Sequence, residues 1–303
     1  MSYCLNLSRC NTSAIVTVMQ PWLAQSNYGE SCIRLVKVGR QTDHHDLKDL
    51  TIGIQFEGDF DSSYIEGDNR KILPTDTMKN TVYALAKLYP IEQIEDFGRT
   101  LVEHFLTDNS QLTRVRAEIS QQLWNRIPFG GKLHATSFTP SGDERRTAVI
   151  AGTREGVSIQ AGIDNLIVLK TTDAAFVGYI RDPFTTLKES RDRVLTTAVK
   201  AAWNYTDAEL PFGPYWHGVR EAILQTFIEH KSKSIQHTLY TMAEAVLERY
   251  EEISEIVVSL PSRHCELVDL SPLGLENKDE VFIPSSEPYD LVEARVRRDS
   301  FGA

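Results

Sequence analysis

A guanidinium, a primary amide and an aromatic ring can together hold a flat polar heterocycle, and this chain offers Arg193, Gln236 and Phe176. The face of such a ring wants an aromatic or apolar neighbour, and its edge wants donors and acceptors at fixed spacing. Arg193 supplies a planar fork of donors that stays charged at any working pH. The amide of Gln236 both donates and accepts, so it can read an adjacent N–H and C=O. These residues sit in the runs Phe176-x-Gly178-Tyr179-x-x-Asp182-x-x-Thr185-Thr186-Leu187, Asp192-Arg193 and Ile235-Gln236. Each also has an ordinary reading on its own: a core aromatic, a surface ion pair, a polar residue at a helix start.

Proton-handling groups stand in two further segments, Thr75-Asp76-Thr77-Met78-Lys79-Asn80-Thr81 and Ser259-Leu260-Pro261-Ser262-Arg263-His264. Thr75, Asp76 or Thr77 could serve as the N-cap of a helix beginning near Met78. The two roles are compatible, because a helix start gathers free N–H groups that suit an anionic ligand. The adjacent pair His44-His45 has no companion at ligand spacing, so no metal is expected there.

Those segments need a scaffold, and the pattern supplies one. Ile52, Ile54 and Phe56 alternate with Thr51, Gly53 and Gln55, the period of a half-buried strand. Ile33 and Leu35, with Lys37, alternate with Arg34, Val36 and Val38 in a shorter strand of mixed faces. A helix is expected from Met78 to Tyr89, stopped by Pro90, and a second carries Ile94, Phe97, Leu101 and Phe105 on one stripe. Strands return over Leu112–Trp124, where Val115, Ala117 and Ile119 alternate with charged residues. The second half repeats the plan, with strands at 147–153, 156–160, 166–170 and 196–205. A helix pair follows on Val219, Ile223, Phe227 and on Leu239, Met242, Val246, then strands at 255–260 and 291–296. An antiparallel sheet backed by a helix pair, twice over, is an α+β arrangement. Element order alone carries the duplication.

Composition bounds the partners. The 303 residues suffice for two ordinary cores, and 41% hydrophobic with 24% charged residues is a globular balance. A net charge of -10 argues against nucleic acid, which needs a basic face. No run approaches a membrane span. Four scattered cysteines (Cys4, Cys10, Cys32, Cys265) form neither a disulfide scaffold nor a zinc site, so reduced thiols are expected. Residues 1–27 read as an extension, flexible in part, and not as a signal peptide.

In their joint spacing the quoted motifs resemble the urate oxidase (uricase) family. The resemblance covers about residues 28–298. It implies two tandem tunnelling-fold units, at 28–143 and 144–303, in a homotetramer whose sheets close into barrels around a tunnel. It implies oxidation of urate by molecular oxygen and water to 5-hydroxyisourate and hydrogen peroxide, in purine degradation, without metal or flavin. Phe176 then stacks on the purine, Arg193 and Gln236 clamp its edge, and Leu187 and Ile235 line the pocket. Thr75 belongs to the proton relay and oxygen site, Asp76 meets the purine through its backbone, and His264 is the relay histidine. The resemblance further implies that Thr75 and the clamp come from different subunits. The final Asp299-Ser300-Phe301-Gly302-Ala303 lacks the Ser-Lys-Leu address of many eukaryotic relatives, and a cytoplasmic location is expected.

Two positions depart from the family pattern. Tyr28-Gly29-Glu30 aligns with a segment whose third residue is the family's lysine, held to activate the threonine. A carboxylate can still accept a proton. It places negative charge beside an anionic substrate, however, a difference on the order of a few kcal/mol at ~4 Å when partly buried, or one or more factors of ten in rate. Ser262 stands where the family has an asparagine that helps hold oxygen or water over the ring, and a hydroxyl reaches less far. With the clamp intact and the reactive face altered, three readings stand: urate oxidation, a different oxopurine reaction, oxidative or hydrolytic, and purine binding alone.

Overall fold

The computed structural model describes residues 21–285 and 290–298. Cys4, Cys10, most of the expected N-terminal extension and the last five residues lie outside this range. The chain forms β1 (Tyr28–Gly39), β2 (Asp46–Gly58), a short α1 (Asp61–Glu66), α2 (Thr75–Leu88), α3 (Ile94–Asp108), β3 (Leu112–Phe129) and β4 (Lys132–Thr153). It continues with β5 (Gly156–Lys170), β6 (Leu195–Tyr205), α4 (Phe212–Glu229), α5 (Ile235–Arg249), β7 (Ile253–Arg263), the small pair β8 (Cys265–Leu267) and β9 (Phe282–Pro284), and β10 (Asp290–Arg297). Eight strands make one antiparallel sheet in the order β1-β2-β3-β4-β5-β6-β7-β10. Among the described residues its two edges, β1 and β10, pair with no further strand.

Strand parity decides which face is covered. Ile52, Ile54 and Phe56 pair in register with Ile119, Ala117 and Val115, and all six are buried beneath the helices. Thr51, Gln55, Arg116 and Glu118 fall on the other face, which carries polar groups. Burying that many aliphatic side chains is the main favourable term in folding, at about 25 cal/mol per Å². The α3 stripe lies so close to the sheet that a Cβ on Gly98 would stand 2.3 Å from Ile150 Cδ1. Any larger residue there must displace the Ile150 side chain or the helix. Lys37 shares the inward face of β1 with Ile33 because its ammonium caps α2, donating to the carbonyls of Ala86 (2.6 Å) and Tyr89.

The repeat expected from element order is present as ββααββ twice, the first run ending in β4 and the second opening with β5. Residues 143 and 144 lie inside β4, so the repetition changes over at the Arg154–Glu155 turn, about ten residues later than expected. Where strands were expected at 156–160 and 166–170, β5 runs unbroken. A bulge between Ile163 and Leu166, with Asn165 at φ 56°, breaks its period without ending it. At the joint of the two runs, Arg146 of β4 donates to the fully buried Glu95 of α3 at 2.6 Å. Arg220 of α4 grips Glu144 with two bonds, at 2.7 and 2.8 Å.

Candidate active site

The clamp residues are held by three crossings of the chain after β5. Ala175 N–H donates to the carbonyl of Ser232 (2.8 Å), tying this segment to the approach of α5. Phe176 and Ser190 exchange both backbone bonds, at 2.8 and 3.2 Å. The Asp192 carboxylate accepts from Thr172 Oγ1 (2.7 Å) and the Ala174 amide (3.4 Å), and these bonds, Thr172 first, hold its pKa below the usual range. Arg193, next in sequence, is therefore delivered to Phe176, with Cζ 5.5 Å from the ring centroid. Its Nε is buried and has no hydrogen-bond partner among the described residues. Burial lowers the pKa of this guanidinium and Asp290 opposes the shift; it remains a cation.

Tyr179 completes this end. Its ring stacks on Phe176 at 4.9 Å and 17°, and its hydroxyl donates to the Leu187 carbonyl at 2.7 Å. Leu187 is thereby held with more than half its surface exposed. Ser234 caps α5, its Oγ accepting from the His237 amide at 3.1 Å. Ile235, buried, and Gln236, exposed, thus form the first turn of that helix. Because α5 runs back over β7, this turn lies toward the strand end that carries Ser262 and His264. Ser262 is only 6% exposed between β6 and β10, facing Thr197 and Asp290 in register. His264 exchanges bonds with Ser285, and its Nε2 lies 2.9 Å from Asp290 Oδ2.

Thr75, Asp76 and Glu30 gather at the other edge. Leu73 N–H donates to Tyr28 Oη at 2.9 Å, which docks the start of α2 against β1. The helix begins at Thr75, three residues earlier than the apolar spacing suggests. Pro74 occupies the cap position and no side chain caps the end. The N-cap role considered for Thr75, Asp76 and Thr77 is therefore not used, and their N–H groups have no intrahelical acceptor. The Asp76 carboxylate turns back to Lys79 (2.6 Å) and Asn80 (3.0 Å). Lys79 is held above its ordinary pKa, by Asp76 first and more weakly by Glu30. Glu30 precedes a one-residue bulge in β1, with Cys32 at φ 57°, which keeps both Glu30 and Ile33 on the helix side. Glu30 therefore shares that side with the start of α2.

One chain thus brings Phe176, Arg193, Leu187, Ile235, Gln236, Ser262 and His264 to one end of the sheet, and Glu30, Thr75 and Asp76 to the other. Sequence reasoning quoted Tyr179 in the Phe176 run but gave it no role, although its i+3 spacing from Phe176 was a usable signal. It also missed Asp290, which only the β7–β10 register reveals. His44 is exposed in the β1–β2 turn, and among the described residues no group of three or more His, Cys, Asp or Glu is disposed to hold a metal ion.

Paired ββααββ runs in one antiparallel sheet, with helices on one face, define a tunnelling-fold α+β protein. The uricase family model matches residues 26–151 and 159–293, and the chain belongs to that family. It is 41% identical over 277 residues to the uricase of Arthrobacter globiformis, covering 91% of this chain and 90% of that one. The uricase of Aspergillus flavus is 36% identical over 293 residues, covering 91% and 96%. The crystal structure of Arthrobacter globiformis uricase superposes with a TM-score of 0.89 at 40% identity, covering 94% of this chain and 98% of that one.

Proposed function

We propose that this protein oxidises urate: urate, O2 and H2O give 5-hydroxyisourate and H2O2. The observation that carries the reading is the aromatic–guanidinium–amide set, Phe176, Arg193 and Gln236, built around one stapled loop in a chain of uricase sequence and fold. Phe176 faces the ring, while Arg193 and Gln236 read its edge, and Ile235 and Leu187 bound the pocket. Fixing the ring in one orientation converts part of the barrier into binding energy. Electrons come from the bound urate itself once it is doubly deprotonated, so the protein's work is to bind, deprotonate and place oxygen.

Thr75 and His264 pass the proton, with Glu30 as the acceptor in place of the family's lysine and Ser262 beside the oxygen and water position. The N–H groups at the uncapped start of α2 suit the anionic ring at Asp76. Because the halves stand at opposite sheet edges, the site is read as shared between subunits of a homotetramer, in which closing the sheets also pairs the open edges. A cytoplasmic location belongs to the same reading; no helix among the described residues is long and apolar enough to cross a membrane.

The test is aerobic loss of urate absorbance with peroxide followed in parallel. One peroxide per urate consumed is expected. Tight binding of urate without peroxide would overturn the reaction and leave a clamp serving another oxopurine or binding alone.

A further inference from the structure

We propose that His230 and His237 form a proton-sensitive brace for the clamp. Uncharged, the pair holds the link between α4 and α5 that positions Gln236 and the Phe176 loop. A proton taken up by the pair loosens both. The link is short, residues 230–234, and it serves both halves of the clamp. Ser232 N–H donates to the carbonyl of Asp173 (2.9 Å), and the Ser232 carbonyl accepts from Ala175 N–H (2.8 Å), so the chain leading into Phe176 is paired to it. Thr238 Oγ1 donates to Ser232 Oγ at 2.7 Å, a buried bond between the link and the first turn of α5. Ser234 caps that turn, and Gln236 stands in it.

The two imidazoles join the ends of this link. His230 follows α4, His237 is the third residue of α5, and their ring centroids lie 4.5 Å apart at 63°. Neutral rings in such a tilted contact attract each other. A charged one has poor surroundings. His230 Nε2 and His237 Nδ1 are buried with no hydrogen-bond partner among the described residues. Lys170 of β5 donates to the His230 carbonyl at 2.6 Å, which sets an ammonium beside the pair. Lys231 and Lys233 flank it within the link. The carboxylates of the neighbouring elements have other partners: Asp173 lies 3.8 Å from Lys231, Asp192 accepts from Thr172 and the Ala174 amide, and Glu229, ending α4, accepts from Gln225. Burial first, then His237, Lys170 and Lys233, holds His230 below the usual histidine range. An opened link takes up its proton at the ordinary midpoint of 6.5, whereas the closed link resists it. The brace is therefore complete above that pH and weakens as the pH falls below it.

The binding part of this inference rests on the purine reading of the clamp, whereas the titration and exchange parts do not. The test uses the full chain, wild type against His230→Phe, which keeps an aromatic ring and cannot be protonated, and against His237→Gln. Histidine C2–H exchange followed by mass spectrometry reads the His230 midpoint. Amide exchange reads the peptides spanning 172–176 and 230–238, and calorimetry reads xanthine affinity, from about pH 8 to about pH 5.5. The His230 midpoint is expected below 6.5 in the wild type and higher in His237→Gln. Amide exchange in both peptides, corrected for its intrinsic pH dependence, should rise on the acid side in the wild type and stay flat in His230→Phe. Xanthine affinity should fall several-fold on that side in the wild type relative to His230→Phe. A wild-type midpoint at or above 6.5, or an acid-side rise in exchange that His230→Phe leaves unchanged, would overturn the proposal. Midpoint and exchange that behave as expected, with xanthine bound at no pH, would instead sink the purine reading of the clamp and leave the brace standing.

Discussion

If the site is divided between chains, two inactive variants should repair each other. Glu30, Thr75 and Asp76 stand at the β1 edge, while Arg193, Gln236 and His264 stand beside β7 and β10, six and seven strand steps away. At ~4.8 Å per step the edges lie on the order of 30 Å apart along the sheet, several times the width of a purine. Thr75→Ala spoils one half and Arg193→Ala the other. Each homogeneous variant should be close to background. In oligomers mixed at random from equal amounts, a site is sound only when its Thr75 half comes from the Arg193→Ala chain and its clamp half from the Thr75→Ala chain. Each condition holds half the time, so about one quarter of wild-type activity should return. The assay is coexpression with two different tags, sequential affinity purification, and peroxide release with urate. Doubly tagged oligomers that stay at background would refute the divided site.

Arg193→Ala should weaken xanthine binding about a hundredfold or more, since two charge-assisted bonds contribute ~1.5–3 kcal/mol each; calorimetry beside light scattering should show binding lost and assembly kept. Glu30→Lys should raise kcat on urate about tenfold or more, and a fall in steady-state peroxide release would mean that the carboxylate is a better proton acceptor in this site than the lysine. Glu95→Ala strands the buried Arg146 charge and should cost about 3–5 kcal/mol, read as a denaturant midpoint shift, with the double change Glu95→Leu, Arg146→Met costing less.

The parts of the fold that were legible are those where one face is buried. Ile52, Ile54 and Phe56 on β2, and Ile94, Phe97, Leu101 and Phe105 on α3, show their periods because helix and sheet cover them. The outer half of the β3–β4 hairpin was missed because it extends past the helix cover, with most residues from 132 to 144 at least partly exposed, so no alternation is enforced. Its turn was marked all the same by Gly130-Gly131, both at positive φ (59° and 77°). In the site, Phe176, Arg193 and Gln236 each look ordinary alone; their spacing in a known family made them stand out. Asp290 had no such help. Its importance comes from a strand register, which nothing local in Tyr289-Asp290-Leu291 encodes.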